Sequence, residues 1–231
     1  MNLEEQIYVR KSCRKYLDEG IDMNVINDFM KSVRPLSSDL KYRYEIFEKS
    51  EVKIRTPWSA PYYLALFSEK KDLCKVNLGF VFQQLSLCLQ SKGIGSCWVG
   101  LNSIKRKDPE FVIEIAFGKS DDMTRDISGF KRKSLADISD YADDRLKPAQ
   151  LAPSAINMQP WYFKHTDDGF DVYQVKQNIL KRPIVKWNPI DVGIALAHMY
   201  VANEKTFEFY LNSGFDKLDG HIYVGDRKSV V

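Results

Sequence analysis

The sequence is poor in the residues that build metal centres. Only three histidines occur among 231 residues (His165, His198 and His221), and the four cysteines include no CxxC pair. Zinc sites need closely spaced Cys and His ligands, so a structural zinc centre is not expected. We therefore assign no metal ligand to any residue of the chain.

The sequence also lacks a strong charge of either sign and long apolar runs. Lys and Arg number 34 against 31 Asp and Glu, a net charge of +3. This balance predicts neither a nucleic-acid partner nor a membrane-surface partner. No run of 18 apolar residues occurs, and the opening MNLEEQIYVRKS has no apolar signal-peptide core. The expectation is a cytoplasmic protein with reduced thiols.

Apolar residues make up 44% of the chain and aromatic residues 13%, which suits a large core or a planar ligand. The length fits one large domain or two interlocked halves. Hydrophobic patterns predict long helices over 77–90 and 189–205, the first apolar on most sides and therefore central. Further predicted helices cover 2–8, 22–33 and 135–141, and predicted strands cover 42–46, 61–67, 111–117, 161–163, 170–175 and 221–224. The segments 93–100 and 119–133 are predicted to be a loop and a linker.

Three sequence patterns recur between the two halves of the chain. Arg10-Lys11-Ser12 returns at 132–134, Asn77-Leu78-Gly79-Phe80 is matched in kind at 191–194, and the segment 34–38 weakly parallels 151–154. The offsets are 122, 114 and about 118 residues. Near-constant offsets predict an internal duplication of roughly 115 residues, as in two half-units packed like a dimer. Symmetric dimers commonly form ligand sites across their interface.

The first candidate site is the segment Arg10-Lys11-Ser12-Cys13-Arg14. In an extended chain, Arg10, Ser12 and Arg14 would point to one side and could hold a phosphate. In a helix, Ser12 would point away and the two arginines would be ordinary surface neighbours. The sequence alone leaves both alternatives open.

The second candidate is the segment Ala152-Pro153-Ser154-Ala155-Ile156-Asn157-Met158-Gln159-Pro160-Trp161. Its two prolines prevent a regular helix, and its polar side chains suit the edge of a planar heteroaromatic ring. The alternative is a plain turn before a strand, with Asn157 capping a local group.

The third candidate is the glycine-rich segment 93–100, GIGSCWVG, where glycine would permit close backbone approach to a ligand. It lacks the GK[ST] ending of a phosphate-binding loop and does not follow a strand as a dinucleotide-binding loop would. The alternative is a helix C-cap and turn.

Together, the RxSxR segment at 10–14, the APSxxNxQPW segment at 152–161 and the hydrophobic helix followed by GIGSCWVG resemble the nitroreductase family of FMN flavoproteins. In ordinary members the PSxxN segment lies shortly after RxSxR, whereas here it lies in the second half. This order resembles the single-chain tandem branch of the family. The resemblance implies an α+β, nitroreductase-like fold. Two duplicated halves, 1–125 and 126–231, would carry mixed or antiparallel sheets around central hydrophobic helices and form an intrachain pseudo-dimer.

The resemblance also implies site residues, because in the family one subunit gives RxSxR and the other gives PSxxN. The first half keeps RxSxR but has only PLSS at 35–38, and the second half keeps PSxxN but lacks the second arginine at its start. One FMN per chain is therefore expected. The residues expected to bind it are Arg10, Ser12, Arg14, Val99, Gly100, Arg132, Lys133, Pro153, Ser154 and Asn157. We expect Gln159, Trp161 and Cys97 to be structural.

The activity that the resemblance implies is hydride transfer from NADH or NADPH, through FMN, to a small electron-poor acceptor such as a nitroaromatic or a quinone. No catalytic side chain is required, because the cofactor carries the chemistry. The alternative is a flavin-binding carrier, sensor or relic without turnover. A specialised flavin reaction such as dehalogenation is a third and less favoured interpretation. The protein is expected to be a monomeric pseudo-dimer that could associate further.

Overall fold

The computed structural model describes residues 2–177 and 182–229. The helices are α1 (Leu3–Val9), α2 (Asn24–Met30), α3 (Cys74–Ser91), α4 (Leu135–Ile138), α5 (Lys147–Gln150), α6 (Arg182–Val185) and α7 (Asn188–Ala202). The strands are β1 (Tyr42–Glu48), β2 (Val52–Lys53), β3 (Tyr62–Ser68), β4 (Ile94–Val99), β5 (Ser103–Ile104), β6 (Phe111–Lys119), β7 (Trp161–Thr166), β8 (Gly169–Val175), β9 (Phe207–Tyr210) and β10 (His221–Ser229). Within these described ranges, no helix has the length and apolar character needed to cross a membrane.

Two four-stranded sheets have the same internal order. One sheet runs β1-β3-β6-β4 and the other runs β7-β8-β10-β9. When the four strands of each sheet are numbered along the chain, their order across the sheet is first, second, fourth, third. In both halves the long helix follows the second of these strands. All pairings within both sheets are antiparallel. The α+β class is confirmed, and the sheets are antiparallel rather than mixed. The repeated order supports the internal duplication, which stays a prediction, as does the boundary near residue 125.

The helices α3 and α7 form the centre of the molecule, and both bury most of their residues. They cross where two glycines allow the backbones to touch. A Cβ built on Gly79 would overlap the carbonyl oxygen of Ile190, and one on Gly193 would overlap that of Val76. Each glycine thus meets the residue three positions before the other glycine. Such a reciprocal contact is what a two-fold interface produces between identical subunits.

The prediction of a loop at 93–100 is wrong, because most of this segment is strand β4. The helix α3 ends at Ser91, Gly93 follows in a turn with a φ of 73° that suits glycine, and the chain then enters the sheet at Ile94. Gly95 is needed for packing rather than for a turn, since a Cβ there would lie 2.7 Å from Cys13 Sγ. The glycines that suggested a loop therefore serve helix termination and close packing.

The sequence predicted that the segment 119–133 is a linker, but this segment also pairs with the N-terminal chain. Lys11 N–H donates to Met123 O at 2.9 Å, and Arg125 N–H donates to Val9 O at 2.7 Å. This pairing, with a bridge between Arg10 and Thr124, ties the segment to the N-terminal chain. Its charged composition hid the pairing, because charged residues are typical of exposed linkers.

Candidate functional site

The N-terminal candidate segment is extended, not helical. The helix α1 ends at Val9, and residues 11–17 have no regular secondary structure. Cys13 N–H donates to Ser96 O at 3.0 Å, which lays the segment along strand β4. Of the two alternatives that the sequence left open, the extended one is therefore present, with alternate side chains facing one way.

Four arginines from distant parts of the chain converge beside this segment: Arg10, Arg14, Arg125 and Arg132. Arg10 is only 4% exposed; its Nη2 donates to Ser12 Oγ at 3.0 Å, and its buried Nη1 has no partner among the residues that the structure describes. Burial, together with the charges of Arg132 and Arg125, lowers the pKa of Arg10 to about 9. Within the described ranges, none of the four guanidinium groups forms an ion pair with a carboxylate.

This arginine cluster is unfavourable by itself, because like charges and burial both act against the charged forms. Burial and Arg125 lower the pKa of Arg132 to about 10, and burial and Arg14 also lower that of Arg125. An anion with several oxygens would accept hydrogen bonds from the guanidinium groups and offset their repulsion. The arrangement is therefore built for a phosphate or a similar group.

The loop 153–159 is held in a strained backbone by its own polar side chains. Ile156, Asn157 and Gln159 have positive φ values of 45°, 59° and 49°. Gln159 N–H donates to Ser154 Oγ at 2.8 Å, and Gln159 Oε1 accepts from Lys133 N–H at 2.8 Å. Gln159 is thus structural, as the sequence predicted. Strained backbone of this kind is kept where a precise loop shape is required.

Asn157 and Lys133 contact the strained loop and its neighbours rather than the pocket. Asn157 Oδ1 accepts from Arg132 Nη1 at 2.7 Å, and its Nδ2 donates to Lys131 O at 2.7 Å. Lys133 Nζ donates to Gln159 O at 3.1 Å. Asn157 therefore helps to hold the Arg132 side chain in its place within the arginine cluster. The predicted contacts of Asn157 and Lys133 with a cofactor stay predictions.

A pocket of about 420 Å³ lies next to the arginine cluster, and both halves of the chain contribute to its wall. Six of the ten predicted site residues line it, namely Ser12, Arg14, Val99, Gly100, Pro153 and Ser154. The other four predicted site residues are not part of this lining: Arg10, Arg132, Lys133 and Asn157. The volume lies in the range of about 300–1,000 Å³ that is usual for small-molecule sites.

Three of the four tryptophans of the chain line this composite pocket: Trp58, Trp98 and Trp187. Trp187 packs on Gly100, where a Cβ would lie 2.6 Å from the indole Nε1. Trp161, by contrast, is fully buried in the core, in line with its predicted structural role. An aromatic wall of this kind suits a flat, ring-shaped ligand.

The orientation of Trp98 is fixed by a series of hydrogen bonds between buried side chains. Its Nε1 donates to Gln83 Oε1 at 3.0 Å, and Gln83 Nε2 lies 3.0 Å from His198 Nε2. His198 Nδ1 lies 3.0 Å from Pro148 O. Burial and the nearby Arg10 charge lower the pKa of His198 to about 3. The neutral imidazole therefore donates to Pro148 and accepts from Gln83, and it serves as a support rather than an acid.

Cys97 lines the pocket, yet its thiol is not activated. The side chain is buried, and burial raises its pKa although Arg14 and Arg10 partly offset the rise. A thiol with a raised pKa is a poor nucleophile and a poor redox group. This agrees with the predicted structural role of Cys97.

Sequence reasoning missed several residues of the site, among them Arg125, Trp187 and Asp191. Arg125 was hidden in a segment interpreted as a linker. Trp187 precedes helix α7 and carried no motif of its own. Asp191 did have a signal, because it occupies the repeated pattern at 191–194 that matches 77–80.

The fold and the site define an α+β protein with two like sheets and a composite pocket beside an arginine cluster. The chain belongs to the TM nitroreductase family, whose family model (TM1586_NiRdase) matches residues 2–203. The recognition made from the motifs is thereby confirmed. A comparison with curated protein sequences found no match.

A solved structure shows the same fold. A crystal structure of the tm1586 protein of Thermotoga maritima, a proposed nitroreductase, is 21% identical with a TM-score of 0.68, covering 99% of this chain and 94% of that chain. An FMN-dependent nitroreductase of Clostridium difficile R20291 is 14% identical with a TM-score of 0.44, covering 57% of this chain and 96% of that chain.

Proposed function

We propose that the protein binds one FMN in the composite pocket and works as a flavin-dependent oxidoreductase that uses NADH or NADPH. The observation that carries this proposal is the arginine cluster, which has no carboxylate partner within the described parts of the chain and adjoins a pocket walled by tryptophans. A planar ring joined to a phosphate matches both parts of this site. Family membership gives the proposal its chemical class.

The residues present fit the cofactor. The unpartnered Nη1 of Arg10 is a buried donor without an acceptor, which is what a phosphate oxygen would supply. Ser12, Arg14, Arg125 and Arg132 would complete the phosphate site. The wall residues Val99, Gly100, Pro153 and Ser154 would face the ring.

The bound cofactor would supply the redox chemistry, which moves hydride from NADH or NADPH to a small electron-poor acceptor such as a nitroaromatic or a quinone. The protein's own residues orient and shield the reactants. Trp98, held by Gln83, fixes one wall, while Trp58 and Trp187 limit the entry of water. Fixed positive charge from the arginines favours a bound group that becomes more negative on reduction.

A single cofactor per chain follows from the difference between the two halves. Ile194 lines the pocket, and the repeated pattern places Phe80 at its equivalent position in the other half. Phe80 stacks on Phe207 with ring centroids 5.6 Å apart and lies 5.4 Å from the Tyr200 ring. Aromatic side chains thus occupy the space next to Phe80 in that half.

The test begins with the absorbance spectrum of the purified protein after incubation with FMN. We expect a yellow protein with one flavin per chain by quantified release, bleached by NADH or NADPH without oxygen and recoloured by a quinone. A protein that takes up no FMN would refute the proposal. Yellow protein that neither nucleotide bleaches would favour the carrier without turnover, and two flavins per chain would refute the single site.

A further inference from the structure

Asp191 is an acidic side chain set in the wall of the composite pocket. It lies in the first turn of helix α7 and is only 4% exposed. Among the described lining residues it is the one carboxyl group. Its two oxygens lie 3.1 and 3.2 Å from the same donor, the N–H of Ala155 in the strained loop. Within the described parts of the chain, no Lys, Arg or His forms an ion pair with it.

The other half of the chain shows how a side chain at this place is used. Asn77 is the equivalent residue in the repeated pattern, and its Oδ1 accepts from Leu36 N–H at 2.8 Å, as Asp191 accepts from Ala155. The second polar atom of Asn77, Nδ2, donates to Leu40 O at 3.1 Å. One atom therefore accepts from the loop and the other donates. In Asp191 both oxygens lie near the Ala155 N–H, neither has a protein acceptor within the described ranges, and the residue lines the pocket.

The surroundings of Asp191 favour its neutral form. A buried carboxylate without a cation is costly, so burial raises its pKa well above the usual range, and the Ala155 N–H opposes this only in part. The titratable groups that share the pocket wall are Arg14 and Cys97, and the opposing residues of α3, Val76 and Gly79, are uncharged. A neutral carboxyl carries one O–H donor.

We propose that Asp191 is a binding residue of the pocket whose carboxyl O–H donates a hydrogen bond to an acceptor atom on the edge of the bound ring. The inference rests on the proposed function, since it takes the ring to be the flavin. Its role differs from that of the arginine cluster, which holds the phosphate. A carboxylic acid kept neutral by an apolar site can act as such a donor.

The test compares FMN affinity of the wild type with that of Asp191→Asn from pH 6 to pH 9, followed by quenching of flavin fluorescence in the apoprotein. Asn keeps one acceptor and one donor at every pH, as Asn77 does. The wild type loses its donor as the carboxyl ionises, so the ratio of the wild-type Kd to the variant Kd should rise about tenfold. Titration of the FMN phosphate affects both proteins equally and cancels in this ratio.

Controls separate this inference from folding and from the proposed function. Asn77→Asp, at the equivalent position away from the pocket, should leave FMN affinity unchanged. Asp191→Ser, which keeps an O–H donor, replaces Asp191→Asn if that variant melts far below the wild type. A ratio independent of pH, or an Asp191→Asn protein that binds no FMN while folded, would overturn the inference. Wild-type protein that binds no FMN at any pH would refute the proposed function itself.

Discussion

The two four-stranded sheets share a strand order. They differ in the connection between the first two strands of each sheet, which are β1 and β3 in the first half and β7 and β8 in the second. In the first half this connection spans 49–61 and brings Thr56, Pro57 and Trp58 to the pocket wall. In the second half, β7 and β8 are joined by a turn of two residues, Asp167 and Asp168. One half can therefore supply a wall that the other cannot. The asymmetry of the site comes from loop length and a few side chains, not from topology.

The central helices are alike in the two halves, because each contributes an equivalent glycine to the crossing of α3 and α7. Gly79 and Gly193 occupy equivalent positions and make equivalent contacts. Next to them, Phe80 fills space in one half while Ile194 leaves room in the other. The two halves thus share a packing geometry at the crossing and differ in the side chains next to it.

Replacing either crossing glycine by alanine tests whether the two halves truly pack as equivalents. Gly193→Ala and Gly79→Ala should each lower the free energy of unfolding by at least about 3 kcal/mol, because the added methyl meets backbone that cannot move aside. Urea denaturation followed by circular dichroism measures both. The control is Gly20→Ala, since a Cβ at Gly20 has nothing within 4 Å and should change little. A large effect at one crossing glycine alone would break the equivalence.

The fold was largely predictable from the sequence where hydrophobic patterns were long. The predicted helices at 77–90 and 189–205 correspond to α3 and α7, and Asp167-Asp168-Gly169 marked the hairpin between β7 and β8. Strand β4 was missed because its glycines resemble those of a loop, although they serve packing against Cys13. Strand β9 was missed because Phe207–Tyr210 is short and its pairing with β10 is set by distant residues.

The site was predictable only where a motif marked it. The N-terminal segment and the loop at 153 were found through their motifs. The structure brings Ser12, Arg14, Pro153 and Ser154 to one pocket, with Arg10 in the arginine cluster beside it. Arg125 was not, because its position depends on the pairing of 123–125 with 9–11, a long-range contact that no local pattern reveals. Tertiary pairing of this kind is invisible to periodicity.

The next largest effect is expected at the arginine cluster, which exists on one side of the molecule. Arg10→Ala and Arg14→Ala should each weaken FMN binding by about 1.5–3 kcal/mol, the contribution of a hydrogen bond to a charged group. Flavin fluorescence titration measures the change. The apoprotein of Arg10→Ala should unfold no more easily than the wild type, because Arg10 is a buried cation without a carboxylate partner.

A matched control comes from the other half. Arg34 follows helix α2 as Arg10 follows helix α1, but its guanidinium carbon lies 5.3 Å from the Tyr200 ring centroid and it does not line the composite pocket. Arg34→Ala should leave FMN affinity unchanged. If Arg34→Ala weakened binding as much as Arg10→Ala, the phosphate site would not be confined to the arginine cluster.

The two sheets also differ in the acids that they bury. In the second sheet, Asp171 and Asp226 are paired in register on β8 and β10, and both are buried. Burial and the neighbouring Asp226 raise the pKa of Asp171 to about 6. In the first sheet, Glu114 is buried with neither oxygen bonded, and burial raises its pKa to about 7. Both halves therefore hold acids that prefer the protonated form.

The smallest predicted effect is a pH dependence of stability that can be divided between the sheets. A pKa raised in the folded state adds stability that is fully present below about pH 4 and lost as the pH rises through about 6 for Asp171 and about 7 for Glu114. The free energy of unfolding should thus fall between pH 5 and pH 8. Asp226→Asn should remove about 1–2 kcal/mol of this fall by relieving Asp171, and Glu114→Gln should remove the part due to the first sheet. If urea denaturation showed the same decrease in the free energy of unfolding for both variants as for the wild type, the buried acids would not be its source. The difference between the sheets would then not affect stability.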